Sequence, residues 1–137
     1  MLDLIKLIRD VLLADSTIIA YVGNRIYMEG GLVGNTENDY PQITIEVLDG
    51  PTDSLTDDYF ADLRINIWTK GSACRSIAGL IAKQILLNID KKSYLTNDPI
   101  VYQLWKSNNI PLWEDDTKVF HRVLTFDVVM AGHGGNL

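Results

Sequence analysis

The sequence has one cysteine, Cys74, in 137 residues. A lone thiol makes no intrachain disulfide and no cysteine zinc site. Histidine is almost as scarce. His121 and His133 are the only two, and neither has a partner at a metal-ligand spacing such as H-x-x-x-H, so no metal and no cofactor is expected. Basic residues are in deficit: 12 Lys and Arg stand against 18 Asp and Glu, a formal net charge of −6. Neutralising phosphates needs a basic surface, so this balance disfavours a free-standing nucleic-acid binder. It is compatible with an acidic wall past which nucleic acid slides without adhering. No apolar run approaches the ~18 residues needed to span a membrane. The opening "MLDLIKLIRDVLLAD" is interrupted by Asp3, Lys6, Arg9 and Asp10, unlike a secretory leader. There is no G-x-S-x-G elbow, and Gly30, Gly31 and Gly34 do not link a strand to a helix as a phosphate-cradling loop would. Asp49, Asp53, Asp57 and Asp58 miss the spacing of a calcium loop. No catalytic residue is assigned.

What is present is ordinary globular material, 47% apolar and 22% charged. Its length suits one domain, expected over 1–131, with 132–137 as a flexible tail. Leu2, Ile5, Ile8 and Leu12, with Leu4, Leu7 and Val11, recur at three and four residues and predict an amphipathic helix over 2–14. Asp15 and Ser16 mark a break and a new N-cap, so "STIIAYV" reads as a short second helix, ended by Gly23 in the left-handed conformation. "RIYM" reads as a short strand. Residues 29–40, "EGGLVGNTENDY", have three glycines and no period, which predicts a long mobile loop.

"PQITIEV" alternates, with Ile43, Ile45 and Val47 on one side. "ADLRINIWTK" alternates likewise, Leu63, Ile65 and Ile67 against Arg64, Asn66 and Trp68. The two are expected to pair antiparallel across an acidic 49–62 connection. A second long helix is expected from Ser72 as N-cap to Asn88–Asp90, with Ile77, Leu80, Ile81, Gln84, Ile85 and Asn88 as its spacing residues and Leu80 and Ile81 meeting the sheet. Cys74 falls in its first turn, where a helix dipole lowers a thiol pKa; without a positioned histidine, a core role is expected. "IVYQLWKS" reads as a strand, "NNIPLWEDDT" as a polar loop, and "KVFHRVLTFDVVMAG" as the longest strand, whose apolar side is broken by Arg122. The order α-β-β-β-α-β-β predicts an α+β fold: a single, mostly antiparallel sheet with the helices packed on one face. Trp68 on the polar register, with Trp105 and Trp113 around a polar loop, suggests either a protein–protein surface or a second packed layer.

These features occur in a distinctive order. "LAD" (Leu13–Asp15) leads to "VGNRIY" (Val22–Tyr27), then "YPQITI" (Tyr40–Ile45), then "INIW" (Ile65–Trp68), and the chain closes with "HRVLTFDV" (His121–Val128). Over residues 2–130, that order, spacing and length resemble the tail completion, or tail terminator, proteins of long non-contractile-tailed bacteriophages, although no single motif is specific. The resemblance implies a structural virion protein and not an enzyme: a ring, usually of six copies, that caps the tail tube, stops its polymerisation and joins it to the head. The implied partners are other copies of itself, the tail tube protein and the head connector or neck protein, with DNA passing through the lumen without specific binding and with no membrane. The implied location is the virion tail, assembled in the host cytoplasm. Arg25, Tyr27, Arg64, Trp68 and Lys70 are the candidate interface residues, with the 29–40 loop as a contact arm. The alternatives are a head–tail connector or neck component and, from a different class, a small cytoplasmic ligand-binding domain or enzyme using His121 and the acidic loop, which would need a deep pocket with convergent polar groups.

Overall fold

A computed structural model describes residues 2–28, 30–34, 36–52, 59–97, 100–114 and 119–131. The acidic tip at 53–58, the calcium-loop spacing that includes it, His133 and the expected 132–137 tail lie outside the described residues, as does the side chain of Trp113.

The chain begins with α1 (Leu2–Leu13), which buries Leu4, Ile8 and Leu12, one residue per turn. Asp15 caps α2 (Ser16–Val22) by accepting hydrogen bonds at Oδ1 from the Thr17 and Ile18 amides, 2.8 and 3.0 Å. Gly23 ends α2 at φ +59°, the sign expected, but its ψ of −129° lies outside the left-handed helical well. The minimal strand β1 (Ile26–Tyr27) follows, and the Arg9 guanidinium of α1 donates to the Ile26 carbonyl at 2.8 Å.

Beyond the 28–41 segment come β2 (Gln42–Thr52) and β3 (Tyr59–Lys70), paired antiparallel, then α3 (Cys74–Ile89), β4 (Val101–Glu114) and β5 (Val119–Met130). The five strands form one sheet in the order β1-β2-β3-β5-β4, antiparallel except for the β1–β2 pair. The α+β sheet with helices on one face is as expected. Ile43 and Ile45 of β2, Leu63, Ile65 and Ile67 of β3, and Leu124, Phe126 and Val128 of β5 share one core with the buried residues of all three helices.

Three expectations need correction. The helix α3 is capped at Ala73 without a side-chain bond, not by Ser72. Gly71, at φ +104°, turns the chain earlier, and the Thr69 hydroxyl donates instead to the Cys74 carbonyl. The buried stripe of α3 is Cys74, Ala78, Ile81, Ala82, Ile85 and Ile89. Leu80 is 51% exposed. Small alanines face the sheet, where a helix approaches closely, and the stripe is rotated accordingly. Gln84 and Asn88 donate to Asp15 Oδ2 at 2.9 and 2.6 Å, joining α3 to the start of α2. Finally, "NNIPLWE" is strand. β4 runs 14 residues, with register shifts near Tyr102 and Ser107. The first shift puts Val101 and Leu104 in the core together, where strict alternation opposes them. Asn and Pro disfavour strands intrinsically, but β5 is a full-length template and an edge position tolerates Pro111.

Ile81 is fully buried in the core that also holds Ile43, Ile65 and Phe126. Burial of such a side chain is worth ~1.5–3 kcal/mol, and an aspartate there adds a desolvation cost. Ile81→Asp should unfold the chain or lower its melting temperature by well over ten degrees; a melt within a few degrees of the parent would place Ile81 outside the core.

Burial works to raise the Asp15 pKa, but the bonds from Gln84, Asn88, Ile18 and Thr17 outweigh it and leave the carboxyl below its ordinary value. A depressed folded pKa gives stabilisation that is present above the unfolded value near 3.8 and is lost as pH falls through the folded value. Asp15→Ala should cost about 1–2 kcal/mol at pH 7 in a urea titration, by loss of the cap. The difference should shrink below pH 4; a constant difference down to pH 2 would deny the carboxylate this role.

Candidate functional site

Among the described residues all three α-helices lie on one side, the other side of the sheet carries no α-helix, and most of the candidate residues point there. Direct register partners share a face. The rows Glu46–Arg64–Thr125–Asn108, Thr44–Asn66–Val123–Ile110 and Gln42–Trp68–His121–Leu112 therefore all lie opposite the core.

Trp68 is not an exposed aromatic. It is 6% exposed and forms a second, smaller cluster with Tyr40 and Val119, with Leu32 packed against them. Its indole Nε1 donates to the buried Thr44 hydroxyl at 3.0 Å, and its ring stacks on His121 with centroids 3.7 Å apart and planes 12° from parallel. His121 Nε2 lies 2.9 Å from Asn66 Oδ1. Beside it Arg64 Nη1 donates to Glu46 Oε1 at 2.9 Å, in a half-buried ion pair directly across β2 and β3.

The 29–40 segment, expected to be mobile, is tied to this face along its described residues. The buried Gln42 side chain works like a strand partner: its Oε1 accepts from the Val33 amide (2.8 Å) and its Nε2 donates to the Val33 and Asp39 carbonyls (2.7 and 2.9 Å). Asn66 Nδ2 donates to the Gly30 carbonyl at 3.2 Å, and a Cβ on Gly30 would collide with the Glu46 carboxylate. A side chain at position 30 would have to push the Glu46 carboxylate aside.

The remaining candidates are dispersed. The Arg25 guanidinium bonds within the subunit, donating to the Pro41 carbonyl at 2.9 Å and the Tyr21 carbonyl at 3.2 Å. Tyr27 is half-buried at the β1 edge, next to Thr44. Lys70 is exposed, its ammonium 5.7 Å from the centroid of the Tyr40 ring. Cys74 is buried in the core. Among the described residues, no three His, Cys, Asp or Glu side chains converge as a metal site, and no helix is long and apolar enough to cross a membrane.

A groove of about 570 Å³ lies over these rows, floored by Arg64, Asn66 and His121 and walled by Ile110 and Leu112 of the edge strand β4. Both wall residues are 45% exposed. Sequence reasoning missed this wall because it reads 108–117 as loop. No protein-family model matches the chain, and no curated protein matches it. A solved structure does. A chain in the virion of a native gene transfer agent particle has a TM-score of 0.71 to this one, over 91% of this chain and 92% of that chain. The two share a fold. Sequence identity is 18%, so the likeness concerns architecture and assigns no site. It covers nearly the whole of both chains.

Burial first, and then the positive Arg64, hold the His121 pKa down at about 4. The folded state thus prefers the neutral ring. Between pH 6.5 and about 4 the unfolded chain binds more protons, so this stabilisation is complete above pH 6.5 and is lost as pH falls towards 4. In an NMR titration the His121 ring should stay neutral at pH 5.5. His121→Gln should flatten the decline in unfolding free energy between pH 6.5 and 4.5. A ring midpoint at or above 6 would contradict the burial of the ring beside Arg64.

Proposed function

We propose that this chain is a structural virion protein that terminates a phage-like tail: copies form a ring, six being the number the family resemblance implies, that caps the tail tube, stops its growth and presents a surface to the head connector or neck protein. The observation that carries this reading is the likeness of fold, over nearly the full length of both chains, to a component of a gene transfer agent virion. The order of sequence features that resembles the tail terminators supports it independently, and so does the distribution of polar chemistry. In the groove of the bare face Arg64 is paired with Glu46 and His121 with Asn66. That suits a surface that is docked upon, not one that turns over a substrate. Exposed Lys70, half-buried Arg64 and Tyr27 remain candidate contact residues. Arg25 and Trp68 would act through the shape they give the subunit, since their polar groups bond within it. The acidity of the chain, −6, fits a lumen through which DNA passes without adhering.

Electron microscopy of tails assembled with and without the protein tests the reading. Without it, tubes should be of uncontrolled length and lack heads; with it, tubes should be uniform, head-joined and closed by a terminal ring. Uniform, head-joined tails in its absence would dismiss the function. Tubes of normal length that fail only at head joining would move the protein to the neck.

A further inference from the structure

We infer that copies of this chain join head to tail, the outer stripe of α3 in one copy lying across a row of the bare sheet face in the next. The inference rests on the ring-forming reading above and deepens it by naming the two surfaces.

The row is Leu48–Asp62–Asp127–Trp105, four directly paired residues on β2, β3, β5 and β4. Leu48 is 49% and Trp105 43% exposed at its ends, and both aspartates between them are exposed. Phe60 and Val129, the adjoining pair, complete a hollow of about 300 Å³ with Asp62, Asp127 and Trp105. Like charges directly opposite across strands are destabilising, and among the described residues no ion pair joins a cation to either carboxylate. The row therefore reads apolar, acid, acid, apolar, with its repulsion unrelieved by the described residues.

The outward stripe of α3 has the complementary pattern. Leu80, Lys83 and Leu87, at spacings of three and four, occupy one face of the helix. All three are exposed, Leu87 by 62%. The two leucines are about 10 Å apart along the helix axis, and the row spans about 14 Å across four strands. A helix laid across the strands sets Leu80 and Leu87 against the apolar ends and the Lys83 ammonium between the carboxylates, near the face of Trp105. Burial of leucines otherwise in water supplies affinity, and the charge match fixes register. The occupant is a second copy because this chain itself carries the matching stripe. The stripe and the row lie on opposite sides of one sheet, so neither can satisfy the other within a subunit. The contact is heterologous: every copy offers one surface and accepts on the other, and the series closes when the rotation per copy divides a full turn. Edge-to-edge strand addition at β4 is the poorer route, because Lys106, Pro111 and two register shifts blunt that edge.

Charge exchange tests this on the full-length chain, by sedimentation velocity and by imaging capped tubes. Lys83→Glu and Asp62→Lys should each weaken self-association at least tenfold while leaving circular dichroism unchanged, and the double variant should restore assembly. Independently, Leu87→Cys with Trp105→Cys should give a ladder of disulfide-linked multimers on oxidation that neither single variant gives; Cys74 is buried and does not compete. Rings that form normally in both single variants, or without a ladder in the cysteine pair, would overturn this contact and leave the ring reading standing. Intact Asp62→Lys rings that no longer cap tubes would give the row to the tube protein and overturn the self-contact. A parent chain that stays monomeric both in solution and on tubes would overturn both proposals.

Discussion

The antiparallel pairing of β3 with β5 is the interaction on which the rest of the structure depends. It runs unbroken from Tyr59 opposite Met130 to Lys70 opposite Val119, in the middle of the sheet. Because side chains alternate strictly along a strand, this register sorts every residue of both strands to one face or the other, and a slip of one residue would exchange core for surface. Leu63, Ile65, Ile67, Leu124 and Phe126 meet the helices for that reason. For the same reason Arg64, Asn66 and Trp68 line up with Thr125, Val123 and His121 on the far side. The core and the candidate interface are two consequences of one pairing.

The bare face is more ordered than a solvated sheet surface needs to be. Trp68 and His121 stack in the register β3 and β5 impose, Thr44 accepts the indole proton, and Gln42 holds the returning 30–34 segment against the same end. A buried polar side chain left without partners would be costly, so Gln42 and Thr44, both buried, are kept in place by what they bond. The neutral state of His121 belongs to the same arrangement. A charged imidazolium would be buried and would stand beside the positive Arg64, and both oppose it. This end of the face is therefore a closely bonded platform. Its other end, with Phe60, Trp105, Asp62 and Asp127, carries exposed aromatics and like charges. A sheet with helices on one side only has a second side to cover. The proposed assembly of copies would cover it without lengthening the chain.

Much of this architecture is local and therefore legible in the sequence. The apolar stripe of α1, the Asp15 cap and the alternation of β2, β3 and β5 follow from periods of 3.6 and 2, which are properties of neighbouring residues. The sequence by itself determined two helices and a short third, a mostly antiparallel sheet and the sides on which Ile43, Ile65 and Arg64 fall. Only the tertiary structure decided the rest, because the deciding partners are far apart in the chain. The second half of β4 is a strand because β5 lies beside it, against the preference of Asn108, Asn109 and Pro111. The buried stripe of α3 turns toward Ala78 and Ala82, and its Gln84 and Asn88 reach Asp15 about 70 positions earlier. Trp68 sits on the polar register and is nonetheless buried, since Leu32 and Tyr40 of the 28–41 segment and Val119 of β5 converge on it. Whether a side chain on the far face of a sheet is interface or interior depends on what folds over it, and that is set by contacts that no local period encodes.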